Sequence, residues 1–384
     1  LLAGLVWLVT RNPARAASVL LVDYSCALKL STPLAVLAAM KEGVGRGVLV
    51  KGGRFLESLA AADAVVFDKT GTLTESRPRV AEVIPGEGYE RDDILRTAAC
   101  LEEHFPHPVA RAVVRKAEQE GLHHQEEHTE VEYVVAHGIA SRLHGKRVLF
   151  GSRHYIHHDE GVPVDGMRED IERLAREGRS ILYLAVDGKL AGLIAIEDPL
   201  RPEAAPVIRK LLGRGIRVVM LTGDDERTAA AVAERLGISE YRSQVLPTDK
   251  AEVIRSLQAE GHTVAMLGDG INDSPALSAA DVGVTLSDGA DLAREVADVV
   301  LTECRLDGLV TAVDLSKAAM RRIRTDFGLI MTLNTVFLAS GLAGFLQPGP
   351  SALLHNLTTV GVSLNAMRPM LKAGAEPQLE EVSA

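Results

Sequence analysis

Aromatic side chains are scarce in this sequence of 384 residues: they make up 4% of it, although 47% is hydrophobic and 24% is charged. This combination of a high hydrophobic share with abundant charge fits neither a purely soluble nor a purely membrane-embedded protein. It predicts a chain that has both kinds of segment. A chain of this length is expected to form two or three domains.

Cysteine is also rare. Cys26, Cys100 and Cys304 lie far apart and form no Cys-x-x-Cys pair. Neither a disulfide framework nor a zinc site built from thiolates is therefore implied, and a reducing, cytosolic environment is expected for the polar part of the chain.

An excess of positive charge is absent, because the formal net charge is −10. A nucleic-acid surface needs clustered Lys and Arg, so nucleic acid is not expected as a partner. The first residues, "LLAGLVWLVT", contain neither an initiator Met nor the charged leader of a signal peptide. We therefore expect the chain to be the C-terminal part of a longer protein.

Long apolar runs occur only at the two ends of the chain. One covers residues 16–40, and an uncharged pair covers residues 327–346 and 351–367. Each is near the roughly 20 residues that span a bilayer, so the pair predicts a transmembrane helical hairpin. Basic residues flank this hairpin but are missing from its turn, which predicts that both of its ends face the cytosol.

Between these ends, apolar strands alternate with helical patterns, as in a doubly wound parallel sheet. Three strands end in acidic loops, "DKTGTLT" at 68–74, "TGD" at 222–224 and "GDGIND" at 268–273. Ligands of such sheets bind beyond the carboxyl ends of the strands, so we expect these loops to converge on one site. Residues 76–195 interrupt the alternation with shorter, more polar strands and predict an inserted domain.

The converging groups are those needed for phosphoryl transfer through an aspartyl-phosphate. Asp68 would be the carboxylate nucleophile, Lys250 would offset negative charge and Thr222 would supply a hydroxyl. Asp269 and Asp273 would complete the set, and a Mg²⁺ ion held by oxygen ligands would lie between the carboxylates.

Two kinds of enzyme fit these groups. A soluble phosphatase is expected to have a second acid two residues after its nucleophile, to protonate the leaving group and activate water. That position is occupied by Thr70. The phosphoenzyme should therefore be long-lived, which favours an energy-transducing enzyme, while a phosphatase with membrane anchors stays the alternative.

These motifs, in this order, resemble the C-terminal half of a P-type ATPase of the haloacid-dehalogenase-like superfamily. The resemblance implies that Asp68 takes the γ-phosphate of ATP, with Thr70, Asp269 and Mg²⁺ around it. It implies a wider catalytic set: Asp68, Lys69, Thr70, Thr222, Gly223, Asp224, Lys250, Asn272 and Asp273. The Mg²⁺ ligands would be Asp68, Thr70 and Asp269.

Within that family, "HP" at residues 107–108 and a membrane cysteine followed by "AL" and "TP" resemble the heavy-metal-transporting branch, also called P1B-type. The resemblance implies that the inserted domain binds ATP, with these residues as contacts: His107, Pro108, Gly138 and Ser152. Three positions depart from the usual pattern, because Pro106 replaces an acid, Ala136 a glycine and Ser152 an asparagine.

The transported ion is expected to meet Cys26, Ser25 and His355. This branch usually has Cys-Pro-Cys or Ser-Pro-Cys in the span where this chain has Tyr24-Ser25-Cys26, so the helix-breaking proline is missing. One sulfur, one imidazole and several oxygens suit a divalent ion better than Cu⁺, and Mn²⁺, Fe²⁺, Co²⁺, Ni²⁺ and Zn²⁺ stay open. Cys26 could alternatively be a small buried hydrophobe.

Ten of the twelve histidines lie between residues 104 and 158. We interpret them as surface residues rather than a regulatory metal site, on the expectation that no pair spaced i, i+4 is flanked by an acid.

The expected fold is an α/β doubly wound phosphorylation domain with an inserted α+β nucleotide-binding domain, flanked by transmembrane helices. The predicted boundaries are 1–48 for the first membrane helices, 49–75 with 196–320 for phosphorylation, 76–195 for nucleotide, 321–370 for the hairpin and 371–384 for a tail. The predicted function is ATP-driven export of a heavy-metal cation, at the plasma membrane.

"TGE", the actuator motif of this family, does not occur in the sequence. A missing N-terminal half, as a separate chain or as the rest of the gene, is therefore an expected partner. A truncated, non-pumping protein that binds nucleotide and regulates a partner is a further alternative.

Overall fold

The structure is a computed structural model that describes residues 2–75, 77–103, 108–122, 132–134, 138–268, 273–287, 289 and 291–371. Its contacts divide the chain into two compact units. One comprises Leu1–Ala62 with Asp298–Ala384, and the other Asp63–Ala297.

The helices, in chain order, are α1 Leu2–Thr10, α2 Pro13–Leu20, α3 Tyr24–Val44, α4 Gly53–Ala61, α5 Arg91–Glu102, α6 Pro108–Gln119, α7 Arg168–Arg176, α8 Ala204–Leu212, α9 Glu226–Leu236, α10 Lys250–Ala259, α11 Ser274–Ala279, α12 Asp291–Val296, α13 Asp307–Ala343 and α14 Pro348–Ala366. The strands are β1 Val48–Val50, β2 Ala64–Asp68, β3 Arg79–Pro85, β4 Glu132–Val134, β5 Gly138–Leu143, β6 Lys146–Gly151, β7 Ser180–Val186, β8 Lys189–Glu197, β9 Arg217–Leu221, β10 Glu240–Arg242, β11 Val264–Leu267, β12 Val282–Leu286 and β13 Val299–Leu301.

Helices dominate the first unit. The segments Pro13–Val44 and Asp307–Ala343 are long and apolar enough to cross a membrane. Ala27 of α3, Ile330 of α13 and Val362 of α14 form one buried cluster, so these three helices pack together. Many large apolar side chains of this unit point outward, as on helices that face lipid.

The two helices of the predicted hairpin are present as α13 and α14, which are joined through residues 344–347. Of these two helices, α13 is long and apolar enough to cross a membrane, and α14 falls short of that test. The connection begins at Gly344. This glycine has φ 87°, a left-handed conformation that ends a helix readily only when no Cβ is present. Helix α13 begins at Asp307, well before the apolar run that starts at residue 327. The first apolar run also differs from a continuous helix, because it is broken between Leu20 and Tyr24.

The second unit contains the predicted parallel sheet, in which β12, β11, β2, β9 and β10 are neighbours in that order. β2 lies at the centre, and Phe67 pairs with Leu267 of β11 while Asp68 pairs with Leu221 of β9. All five residues of β2 are buried. The acidic loops therefore leave one edge of the sheet side by side, which confirms the doubly wound fold.

The inserted segment forms an antiparallel sheet with the order β3-β8-β7-β6-β5-β4. Two apolar clusters fill it. One contains Phe150 and Ile94, and the other contains Tyr183 and Ile156. The insertion inferred from the loss of the parallel pattern is thus a separate sheet with its own core, as predicted.

Candidate phosphorylation site and ion path

The central feature at the carboxyl edge of the parallel sheet is a buried ammonium group between two carboxylates. Lys250 Nζ donates to Asp68 Oδ1 at 2.7 Å and to Asp273 Oδ1 at 2.6 Å. The relative exposures are 7% for Lys250, 5% for Asp68 and 2% for Asp273. Because charges this deeply buried need partners, the three side chains stabilise one another.

Electrostatics holds Lys250 in its charged form. Burial alone would lower the pKa of its ammonium, but the carboxylates of Asp68 and Asp273 outweigh that effect and raise the pKa above its ordinary value. The site therefore carries a permanent positive charge next to the oxygen atoms of Asp68.

The loop after Asp68 is a single π-helical turn over Lys69–Leu73 that departs from helical geometry at two residues. Thr70 has an extended conformation and is exposed, and Gly71 has φ 77°, which favours glycine. The Thr74 side chain braces the turn, because its Oγ1 accepts from Gly71 N at 2.8 Å. Thr70 is consequently presented to solvent two residues beyond Asp68.

Arg201 supports the same loop from outside, and the sequence analysis missed it. Its Nε donates to the carbonyl of Thr74 at 3.0 Å and its Nη2 to that of Gly71 at 3.2 Å. Asp198, three residues earlier, has a raised pKa because it is buried. The sequence offers one sign of this support, the stretch "DPLR" at residues 198–201, which places charged residues directly after a long apolar strand.

A second ionic cluster joins the loop to the neighbouring strand ends. Lys69 Nζ forms an ion pair with Asp224, whose Oδ2 also accepts from Thr222 Oγ1 at 2.9 Å. Burial opposes ionisation of Asp224, but the charge of Lys69 and the hydrogen bonds outweigh it and lower its pKa. Gly223, between these two residues, is exposed.

Ser180, at the start of β7 in the inserted segment, belongs to this cluster. Its Oγ donates to Asp224 Oδ1 at 2.6 Å and lies 3.3 Å from Lys69 Nζ. Sequence reasoning missed Ser180, because a serine at the start of a strand carries no signal of a contact 44 positions away.

The residues predicted to contact ATP are only partly described. Of these, His107 lies outside the described residues, and Pro108 begins α6. Asn272, predicted as catalytic, and Asp269, predicted as a Mg²⁺ ligand, also lie outside them. Gly138 begins β5, where a Cβ would lie 2.5 Å from the carbonyl oxygen of Phe150. Only glycine fits there, and this is an observation of packing rather than of nucleotide binding.

Glu102, the last residue of α5, carries a partly buried carboxyl that was not among the predicted site residues. Burial raises its pKa from 4.5 to about 7. Perturbed acids of this kind are frequent at functional sites, and this one lies at the end of the helix that precedes the predicted "HP" pair.

We expect Glu102→Gln to stabilise the protein at pH 8 but not at pH 4.5. The folded state favours the neutral acid, so its stability falls as the pH rises from 4.5 towards about 7 and stays lower above that. The full shift corresponds to about 3 kcal/mol, which the amide should recover. Calorimetric unfolding of the full chain at both pH values measures this, with the exposed neighbour variant Glu103→Gln as control. Equal gains at both pH values would contradict the prediction.

In the helical unit, Asp23 organises the break before α3. Its carboxylate accepts from the backbone and hydroxyl of Ser25 at 2.9 and 2.8 Å and from Cys26 Sγ at 2.9 Å. The helix is therefore interrupted before Tyr24 without a proline at the break, because Asp23 as N-cap starts a new helix there.

His355 is buried on α14, as expected for a functional imidazole. Its Nδ1 lies 3.3 Å from Asn334 Oδ1, and Asn334 Nδ2 donates to the carbonyl of Asp23 at 3.3 Å. Because the amide oxygen accepts, His355 Nδ1 is the donor and Nε2 keeps the lone pair that a metal ion needs. Cys26 and His355 are thus linked through Asp23 and Asn334.

A further polar pair joins α13 and α14. The buried Asp326 accepts from Asn365 Nδ2 at 2.7 Å through Oδ1, and its Oδ2 has no hydrogen-bond partner among the described residues. Ionisable groups inside a span are functional suspects, and this carboxylate was overlooked because it stands one residue before the apolar run.

The sequence of the second unit matches a known family. The model of the haloacid dehalogenase-like hydrolases matches residues 62–281, which is more than half of the chain and includes the Asp68–Lys250–Asp273 cluster. The chain belongs to the haloacid dehalogenase-like hydrolase family.

Relatives of this haloacid dehalogenase-like chain include two metal pumps. It is 42% identical to the zinc-exporting P-type ATPase of Mycobacterium marinum over 96% of this chain and 50% of that protein. It is 41% identical to the manganese-exporting P-type ATPase of Mycobacterium tuberculosis over 96% of this chain and 52% of that protein. The predicted resemblance is confirmed, and the chain spans about half the length of these relatives.

A solved structure agrees with these relatives. The crystal structure of a zinc-transporting PIB-type ATPase in its E2.Pi state superimposes with a TM-score of 0.66 at 36% identity. The match covers 90% of this chain and 56% of that one.

The haloacid dehalogenase-like fold implies a Mg²⁺ ion, and the described donors fit one. Asp68 offers a carboxylate at the strand end and the exposed Thr70 lies two residues beyond it, which supplies the hard oxygen ligands that Mg²⁺ prefers. Asp269, the third predicted ligand, lies outside the described residues.

Proposed function

We propose that this chain is the catalytic half of a pump that exports a heavy-metal cation and is driven by ATP through an acyl phosphate formed on Asp68. The observation that carries the proposal is the buried cluster of Asp68, Lys250 and Asp273 at the carboxyl edge of β2. The metal-pumping relatives support it, although this chain covers about half of each of them.

In this proposal Asp68 attacks the γ-phosphorus of ATP, and ADP leaves. Lys250 holds the nucleophile in position and then offsets charge on the transferred group, while the Thr222 hydroxyl hydrogen-bonds to the phosphate. When bound, Mg²⁺ supplies charge neutralisation between Asp68 and the phosphate oxygens. The catalytic roles of Lys69, Thr70, Gly223, Asp224 and Asn272 are part of the same proposal.

We assign ATP binding to the inserted segment 76–195, with His107, Pro108, Gly138 and Ser152 as contacts. Segments 49–75 and 196–320 would form the phosphorylation domain. Residues 1–48 and 321–370 would lie in the bilayer. The plasma membrane is the proposed location, and the proposed partner is an N-terminal half that carries the actuator domain.

The transported ion is assigned to Cys26, Ser25 and His355. Asp23 and Asn334 connect these groups, so they add oxygen ligands or supports to the set that the sequence suggested. Sulfur, imidazole and carboxylate together suit a borderline divalent ion such as Zn²⁺ or Co²⁺ better than Cu⁺, and Mn²⁺, Fe²⁺ and Ni²⁺ stay open as well.

Two other functions stay as alternatives. A membrane-anchored phosphatase would use the same Asp68, but Thr70 in place of the second acid counts against it. A non-pumping regulator that binds nucleotide would not need Lys250 between two carboxylates.

The ion assignment predicts that Cys26→Ala and His355→Ala each abolish metal-stimulated ATP hydrolysis in membranes that contain this chain and the N-terminal half. Phosphorylation of Asp68 by inorganic phosphate should persist, because that back reaction does not need the ion. Metal-dependent phosphate release and ³²P labelling measure the two effects. Cys304→Ala is the matched control, and full metal stimulation in both ion-path variants would refute the assignment.

A further inference from the structure

One turn of the inserted segment brings together two histidines and an aspartate. Residues His154–Asp159 form a single π-helical turn, in which His154 is followed four residues later by His158 and five later by Asp159. The expectation that no histidine pair spaced i, i+4 is flanked by an acid is therefore wrong. Turns of this type place positions i, i+4 and i+5 on one side, and they are frequent at functional sites.

The distances within this turn match those of ligands around a metal ion. His154 Nε2 lies 3.4 Å from Asp159 Oδ1, and the ring centroids of His154 and His158 are 5.3 Å apart. Ligand atoms bound at about 2.0–2.1 Å to a tetrahedral Zn²⁺ lie about 3.4 Å apart, and the centroids of two such imidazoles about 5 Å apart.

The backbone of the turn is held in place by its buried side. Tyr155 and Ile156 point into the core, with exposures of 3% and 0%. Ile156 N donates to the carbonyl of Ser152 at 3.0 Å, and Glu160 N donates to that of Tyr155, also at 3.0 Å. The turn is thus anchored, while the side chains of His154 and Asp159 are 51% and 44% exposed and open to an ion from solvent.

Two neighbouring polar side chains, Glu160 and His157, already have hydrogen-bond partners of their own. Glu160 is engaged by both Nη atoms of Arg147, at 2.7 and 2.9 Å. His157 Nδ1 donates to the carbonyl of Val162 at 3.0 Å, and its ring meets that of His158 edge-on at 5.0 Å. The hydrogen bond to Val162 therefore fixes the His157 ring, and the contact between the two rings limits the rotation of the His158 ring.

We propose that His154, His158 and Asp159 bind a divalent transition-metal ion of the Zn²⁺ class on the inserted segment, apart from the ion path. Two imidazoles and one carboxylate are a ligand set that such ions accept, with water in the remaining position. In the described parts of the chain, no three such side chains are already arranged to hold an ion. Binding therefore requires the exposed rings to rotate about their side-chain torsions, which the open surface permits.

The test is a Co²⁺ titration of the full chain in detergent, followed by visible absorption, with Zn²⁺ displacement to confirm the site. The chain carries Cys26→Ala and His355→Ala so that ion-path ligands do not contribute. Addition of His154→Ala and His158→Ala should remove one bound equivalent, and Asp159→Asn should weaken binding at least about tenfold, as loss of a ligand or its support typically does.

The matched control is His144→Asn, which removes an exposed histidine of the same segment at a position with φ 48°, where asparagine is tolerated. It should bind as much Co²⁺ as its parent. Unchanged melting temperatures would show that the turn variants fold. Equal stoichiometry with and without His154 and His158, or an equal loss in the His144→Asn control, would overturn the proposal.

Discussion

Asp68→Asn is expected to eliminate the phosphoenzyme completely. An amide cannot attack the γ-phosphorus, whereas its oxygen can still accept the hydrogen bond that Lys250 donates at 2.7 Å. The variant should therefore fold but form no acyl phosphate. The measurement is acid-stable, hydroxylamine-labile label from [γ-³²P]ATP with Mg²⁺.

Asp63→Asn is the matched control for that experiment. Asp63 lies directly before β2 and contacts His262 and Thr263 N, at the other end of the strand from Asp68. It should label as strongly as the unmodified chain. Label that persists in Asp68→Asn would disprove the nucleophile, and rapid turnover of p-nitrophenyl phosphate without a trapped intermediate would favour the phosphatase.

The second large effect is expected at Thr70. The chain alone should retain its phosphate, because the exposed hydroxyl of Thr70 cannot act as a general base. Thr70→Asp places a carboxylate on the same extended residue and should shorten the phosphoenzyme lifetime by about 10²- to 10⁴-fold, the usual contribution of general acid–base catalysis. A pulse of labelled ATP followed by a chase measures the lifetime.

Thr70→Asn separates the chemistry from the change of shape. It has the size of Asp but no titratable proton, so its phosphoenzyme should decay as slowly as that of the unmodified chain. If the Asp variant decays no faster than the Asn variant, the absence of an acid at this position does not explain a stable intermediate.

The phosphorylation site was predictable because its parts follow strand ends. Asp68, Thr222 and Asp273 each lie just beyond or at the end of a predicted strand, and a parallel sheet brings such positions together whatever the intervening sequence. Lys250 was found because a lysine completes the known chemistry. That Lys250 donates hydrogen bonds to Asp68 and Asp273 at the same time could be seen only in the structure.

The contacts that sequence reasoning missed come from tertiary packing. Ser180 meets Asp224 only because two different sheets lie side by side, and no local pattern encodes that approach. In the sequence, Asp23 is only a single charge within the apolar run 16–40, yet in the structure it caps α3 and contacts Cys26. The spacing of His154, His158 and Asp159 is visible in the sequence, but that His154 and Asp159 lie in contact follows only from the turn that contains them.

Ser180 also connects the inserted segment to the loop that follows Asp68. Lys69, Ser180 and Asp224 form one cluster. If β7 moved away from β9, Asp224 would lose the hydrogen bond from Ser180, and Lys69 would lose its contact with Ser180 and be held by Asp224 alone. A cation and an anion buried this deeply need replacement partners when they separate. The γ-phosphate of an arriving nucleotide is such a partner for Lys69. Competition for a single ammonium group would then couple the motion of the inserted segment to the moment at which Asp68 reacts.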